Sequence, residues 1–488
     1  MRLAEGAPVA LAGILAACNG AAADSRPAAD SADTADTASE ADTAAYDPPD
    51  LGGCVDAPAG PVVLDSAAYA RYVGAEMAVS DPDGDGCPAV LASGASSSVD
   101  PGHAATYLAG PPVASAGLED TATAVISLAD PDDDFAHSVG VLDGGRVLAV
   151  PSGDLAGAIY LFDAAAVAGA ITAASASAAI NFELSERGGQ SGYDLATGDA
   201  DGDGTEDILV SDLEVWEEPS YTTRVWLIHD ALDLAAVAGK VTPDARLLER
   251  VPDDAEAFGR SLALADLDGD GLDDTIVGDP AFHSGTWSTL QRVFIWAGPV
   301  AALPAPEAPA VVGAGSVPGG SYFGYSLATG DVDADGYLDL AVGARNLEVG
   351  GELGSGGVFV FHGPVVDVTA DEADAVIEGV AERWGGVGES ITMAAAGPAP
   401  APLDLVTGGD GVHENAGAVY RVPAPLAPRV NLDESYEIAR GGELEALGLG
   451  VANLGDVDGD GIDDIVASCA PVDDYGALWF LYSSALAR

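Results

Sequence analysis

Basic residues are scarce in this chain: 17 lysines and arginines stand against 79 acidic residues, and Lys240 is the only lysine. The resulting formal charge of −62 repels phosphate backbones, and no basic stripe is left to hold one, so nucleic acid is set aside as a partner. Long apolar runs are also missing. The one near the N-terminus, Val9 to Leu15, falls short of the ~20 residues a membrane-spanning helix needs, and nothing later is apolar enough for one. There are four cysteines and six scattered histidines, with no thiol–histidine pairing and no glycine-rich phosphate loop. What remains is ample material for a core, 48% apolar, cut by 63 glycines and 30 prolines into short segments of the kind that form β-strands. Codon bias or adaptation to salt would account for part of the acid excess; cation ligation would account for it more sharply, and the spacing of the acids separates the two.

The first 17 residues read as a processing signal, with Arg2, the apolar stretch and then Leu15-Ala16-Ala17-Cys18. That last segment looks like a bacterial lipobox, which makes Cys18 the expected lipidation site; an ordinary secretion signal is the alternative. Residues 18–53, rich in Ala, Asp, Ser and Thr, hold almost nothing that packs and read as a disordered, self-repelling tether. The folded head is expected over 54–488. Export permits disulfides, and Cys54, Cys87 and Cys469 allow at most one bridge. Cys54 with Cys87 is favoured because both lie near the start of the head, and Cys469 is the other candidate.

Within the head one acidic unit recurs. Asp199, Asp201, Asp203, Thr205 and Asp207 fill positions one, three, five, seven and nine of a nine-residue loop. Asp266, Asp268, Asp270, Leu272 and Asp274 repeat it, as do Asp331, Asp333, Asp335, Tyr337 and Asp339, and Asp456, Asp458, Asp460, Ile462 and Asp464. Their first residues are 67, 65 and 125 apart, so a unit is missing from the last interval, and Leu403-Asp404-Leu405 supplies its strand without its loop. Asp81, Asp83 and Asp85 begin an incomplete copy with Ala89 at position nine, and a shortened turn at 142–145 marks another. That makes seven units. Each predicts four antiparallel strands, and the radial arrangement of such units is a β-propeller, which leaves few open sheet edges. Six or eight blades and a linear solenoid are the competing architectures. A spare strand at 61–65, before the first unit, and a last unit that ends after three strands predict that the N-terminal strand closes the last blade.

Phe258-Gly259-Arg260-Ser261-Leu262-Ala263 and Phe323-Gly324-Tyr325-Ser326-Leu327-Ala328, each followed by an acidic loop and a strand such as Leu340 to Ala344, resemble the FG-GAP repeat of integrin α-subunit propellers. The resemblance covers essentially everything after the tether. It implies an all-β, seven-bladed propeller that binds calcium and says little about the ligand; a binding or adhesion module rather than an enzyme is expected because no catalytic constellation stands out.

The loop chemistry agrees. Calcium takes six to eight oxygen ligands at ~2.3–2.6 Å in a flexible shell. Aspartates at positions one, three and five point three carboxylates into one cavity, glycines at four and six let the backbone curl, position seven offers a carbonyl and position nine an acid. Magnesium wants a stricter octahedron, and no His or Cys lies inside the complete loops for a transition metal. Four sites are expected, with the Asp81 copy weak and the Asp404 copy empty. At millimolar calcium and a Kd of order 10⁻⁴ M, each contributes about 1.4 kcal/mol.

The Phe-Gly-x-Ser segments superficially resemble a nucleophile elbow but lack its second glycine, and their recurrence marks them as architecture. His229 and His362 end third strands and are expected at blade edges. The partner expected is a cell-surface protein or glycan, met through loops on the face opposite the calcium, 212–224 (Trp216, Tyr221) and 280–292 (Trp287). A structural envelope scaffold, or a hydrolase with titratable groups in the central channel, are the alternatives.

Overall fold

Short strands whose successive side chains point to opposite faces leave two surfaces to bury, and a ring of sheets buries both. The computed structural model describes residues 54–486 apart from 56–59, 67–71, 83–86, 96–103, 128–136, 153–157, 182–189, 218–219, 233–245, 251–256, 281–290, 301–309, 398–400 and 471–475. The processing signal, Cys18, the tether, Asp83, Asp85 and Trp287 lie outside the described residues, as do the side chains of Trp216 and Tyr221.

Seven sheets follow one another along the chain and form a seven-bladed β-propeller. Their first strands are Tyr72–Ser80, Gly140–Leu142, Gln190–Gly198, Leu262–Ala265, Phe323–Gly330, Ile391–Ala395 and Leu447–Gly455. Each touches the first strand of the next blade, and the seventh touches the first, so the ring is closed around its axis. Blade five shows the packing. It continues with Asp339–Ala344, Gly357–Phe361 and Ala375–Glu378, all antiparallel. Leu340, Val342, Phe359 and Phe361 face blade four, whereas Ala341, Val358 and Val360 face blade six. The alternating aromatics and valines of the third strand thus separate two interfaces. Every pair of adjacent blades shares such an apolar cluster.

Val62–Asp65 completes blade seven, antiparallel to Ala477–Leu481 with Val62 opposite Phe480. Cys54 and Cys87 form a disulfide there, and the Val55 amide donates to the Val457 carbonyl of blade seven (3.3 Å). The bridge therefore fastens the closing segment to blade one, and a crosslink spanning 33 residues stabilises by about 3–4 kcal/mol through the unfolded chain. Cys469 is a buried thiol on the second strand of blade seven, and burial pushes its pKa up to about 12.

Four strands per blade was the expectation, and four of the seven sheets carry a fifth. Ala116–Gly117, Gly169–Thr172, Val368–Thr369 and Arg429–Asn431 each run parallel to the outer strand of the preceding blade around the ring. The rim is thereby stitched blade to blade, and those outer edges are paired rather than open.

The Phe-Gly-x-Ser segment is a blade-to-blade fastener. Gly324 has φ +90, and a Cβ there would stand 2.9 Å from the Arg292 carbonyl oxygen of blade four, so only glycine fits. The serine two residues on donates to the matching glycine carbonyl of the next blade: Ser261 to Gly324 (2.9 Å), Ser326 to Gly388 (2.8 Å) and Ser390 to Gly448 (3.2 Å).

Candidate metal centre

The acidic loops join first to second strands on one face of the ring. In each, the position-one carboxylate organises the turn by accepting backbone amides ahead of it. Asp199 accepts from Gly202, Asp203 and Gly204 (2.7–3.1 Å), and Asp266 from Gly269, Asp270 and Gly271 (2.7–3.0 Å). Asp331 accepts from Asp335 and Gly336, and Asp456 from Asp460 and Gly461. Position seven (Thr205, Leu272, Tyr337, Ile462) donates its amide to the position-five aspartate (2.7–3.0 Å). Positions four and six curl through positive φ as expected, with glycine everywhere except Ala334 (φ 63).

This folding brings the carboxylates together. Oxygens of Asp199, Asp201 and Asp203 lie within 4.8 Å of one another, as do those of Asp266, Asp268 and Asp270, and of Asp456, Asp458 and Asp460. In blade five the converging trio is Asp331, Asp333 and Asp339. Position nine has a second duty that the sequence did not reveal. Asp207, Asp274, Asp339 and Asp464 are buried. One oxygen accepts the position-two amide, from Ala200, Leu267, Val332 and Val457 in turn (2.8–3.1 Å). The other accepts an amide just beyond the third strand, from Asp230, Gly298, Gly363 and Ser483 (2.7–3.2 Å). Position nine therefore latches two loops of one blade. Burial pushes Asp274 up to about 6 and Asp464 up to about 7, and Asp339 upward as well.

The donor set suits a hard cation. Like charges packed this closely repel unless something positive or a proton sits between them. In blade three the Asp230 carboxyl reaches Asp203, and burial together with that neighbour raises Asp230. Calcium would be held by the aspartates at one, three and five in blades three, four and seven and by those at one, three and nine in blade five, and it favours such oxygen-only, adaptable cages.

Three further features escaped sequence reasoning. First, position eight staples neighbouring blades: Glu206 accepts the Asp143 amide (2.5 Å), Asp273 the Asp199 amide (2.8 Å) and Asp463 the Ala395 amide (2.7 Å). An acid at position eight in three of the four loops was the available signal. Second, His229 and His362, directly after the third strands where they were expected, also reach the acidic loops. His229 Nδ1 lies 3.0 Å from Asp207 and 3.5 Å from Asp201, and His362 Nδ1 lies 3.1 Å from Asp333. Third, blade six, which lacks the acidic loop, places the Arg421 guanidinium against Asp404 (2.8 Å), and Arg421 also donates to the carbonyls of Asp463 (2.9 Å) and Ala395 (2.7 Å). Asp404 occupies the position-nine place, its other oxygen accepting the Ala424 amide (2.9 Å). Asp81 lies just past the first strand of blade one.

Around the axis, the residue after each Phe-Gly glycine meets its neighbours. Arg260 lies between the rings of Tyr193 and Tyr325 (4.8 and 4.4 Å to the centroids), donating to both hydroxyls. Arg345 pairs with Glu389 and Asp410. Burial pushes Tyr325 up to about 12 and Asp194 up to about 7. Leu449, Ala75 and Ala470 form a small apolar cluster, and His137 stacks on Tyr193 (centroids 6.0 Å apart).

Comparison with known proteins agrees with this architecture. Residues 323–361, the first three strands of blade five, match the FG-GAP repeat family. Integrin alpha-5 of Xenopus laevis is 31% identical over 199 residues, 40% of this chain and 17% of that protein. Integrin alpha-7 of Homo sapiens is 34% identical over 166 residues, 32% of this chain and 12% of that protein. Integrin alpha-PS2 of Drosophila melanogaster is 32% identical over 181 residues, 35% and 11%. The chain thus spans less than a fifth of the length of these relatives.

Proposed function

We propose that this FG-GAP propeller is a calcium-stabilised binding or adhesion module that works outside the cytoplasm, tethered to a membrane through a lipidated Cys18. The observation that carries the reading is the recurrence, in four blades, of loop carboxylates converging within 4.8 Å at one face of a ring similar to integrin alpha subunits. On this reading the ions brace the acidic face, and the opposite face, built by the loops between second and third strands and between blades, meets a protein or glycan partner at the cell surface. The membrane is reached through the lipid. Among the described residues no helix is long and apolar enough to cross it.

A hydrolase gains some support from the buried carboxyl Asp194 and the tyrosines at the axis. Against it, Arg260 is spent on Tyr193 and Tyr325, and Arg345 on Glu389 and Asp410, so the network reads as a fastener between blades. A panel of glycans and surface proteins screened in calcium and again in chelator tests the proposal. Saturable binding that needs calcium supports it; turnover of a glycoside or ester substrate, or no saturable partner, favours the hydrolase or the scaffold. Intact-mass analysis of membrane-extracted protein tests the anchor, since an unacylated Cys18 overturns it.

A further inference from the structure

The four loops are not equivalent, and the difference lies outside them in sequence. At the end of the third strand, beside the loop, blade four has Ala297, blade seven has Tyr482, and blades three and five have His229 and His362. Tyr482 turns away, its hydroxyl donating to the Pro112 carbonyl (2.6 Å). His362 reaches Asp333, but the converging trio of blade five is made of aspartates. Only in blade three, among the described residues, does a ring nitrogen belong to a converging donor set: His229, Asp201 and Asp207, within 4.8 Å of one another. That loop offers two overlapping sets that share Asp201, one of oxygens alone with Asp199 and Asp203, the other mixed.

The mixed set has dimensions that a small ion fits. Zinc binds imidazole nitrogen and carboxylate oxygen at ~2.0–2.2 Å, and a tetrahedron of that size separates its donor atoms by about 3.3 Å. The His229 nitrogen stands 3.0 and 3.5 Å from the Asp207 and Asp201 oxygens, on either side of that value. Asp207 is held rigidly, its two oxygens fixed by the amides of Ala200 and Asp230, so the partner of the imidazole is preorganised. Asp201 is about one-third exposed, which leaves a path for the ion and for a water as a further ligand. Imidazole is a good ligand for zinc and its neighbours in the first transition row, whereas calcium takes oxygens.

We propose that blade three carries a mixed nitrogen–oxygen site, His229, Asp201 and Asp207, that takes a divalent transition metal of the zinc type in preference to calcium. Blades four, five and seven keep oxygen-only calcium sites. The inference rests on the reading of the loops as cation sites, and its test separates the two. Metal-stripped full-length protein is titrated calorimetrically with zinc chloride in saturating calcium, alongside His229→Asn, which keeps a polar side chain but no imidazole. The expected result is one zinc equivalent for the wild type, weakened at least tenfold in His229→Asn, while calcium raises the thermal midpoint of both proteins equally, which also shows that the variant folds. Equal zinc binding by the two proteins overturns the inference, and so does calcium stabilisation of a wild type that ignores zinc. Indifference to both metals overturns the inference together with the calcium reading.

Discussion

In blade five, nine residues with aspartates at one, three, five and nine join the first strand to the second; in blade six the corresponding turn, 396–402, has no acid at all. Yet both keep a buried aspartate at the start of the second strand, Asp339 and Asp404, and in both one of its oxygens accepts an amide beyond the third strand, from Gly363 and Ala424. The other oxygen shows the difference. In blade five it holds the loop's own Val332 amide, and the Asp339 carboxylate converges with those of Asp331 and Asp333. In blade six it meets the guanidinium of Arg421, which extends to the Ala395 carbonyl at the end of the first strand and to the Asp463 carbonyl of blade seven. A buried aspartate at this corner wants a positive charge. Blade six supplies one covalently; blade five, on our account, borrows one from solution. Blade six should therefore be indifferent to calcium and blade five dependent on it.

The largest expected effect comes from removing the built-in cation. Arg421→Met leaves Asp404 buried without its partner and should lower unfolding free energy by roughly 3–5 kcal/mol, equally in calcium and in chelator. A loss confined to calcium, measured by denaturant unfolding in both media, would break the comparison. The counterpart in blade five, Asp331→Asn with Asp333→Asn, should lose about 1.4 kcal/mol in millimolar calcium and nothing, or even gain, in chelator, where it relieves repulsion.

Acidity sharpens the same contrast. Burial raises Asp274 to about 6, and Asp464 and Asp194 to about 7, from ordinary values near 3.8. A carboxyl raised in the folded state contributes stability below the unfolded value, lost as pH climbs through the folded one. Chelated protein should accordingly melt at a higher temperature at pH 5 than at pH 8. With calcium present the trend should flatten or reverse, since the ion favours ionised aspartates; scanning calorimetry at the two pH values checks both signs. The smallest effect should be the same in both blades. Ser326→Ala and Ser390→Ala each remove one hydroxyl-to-glycine bond to the next blade, so each should lose about 1 kcal/mol with or without calcium.

Much of this was legible in the sequence because a repeat announces itself. Seven units, their strand order and the closure of blade seven by Val62–Asp65 follow from near-constant spacing and a spare strand. The glycines and aspartates of the loops were legible for the same reason: a tight turn permits few residues. What escaped depends on contacts between distant segments. Ala116–Gly117 and Val368–Thr369 are too short to show an alternation, and they are strands only because an outer edge runs beside them. His229 follows its loop by more than twenty residues and enters it only once the third strand has paired with the second. Arg421 looks like one arginine in a valine-rich strand until the lost loop leaves Asp404 in need of a charge.

The central claim is that the converging carboxylates of blades three, four, five and seven hold cations that brace the ring. Its most direct test is the thermal midpoint of the protein as calcium is titrated against a chelator, with magnesium as the control. The account predicts a rise of many degrees that saturates in calcium and is not reproduced by magnesium. A midpoint that ignores calcium would contradict it, leaving the four loops as acidic turns and the −62 charge as a matter of composition.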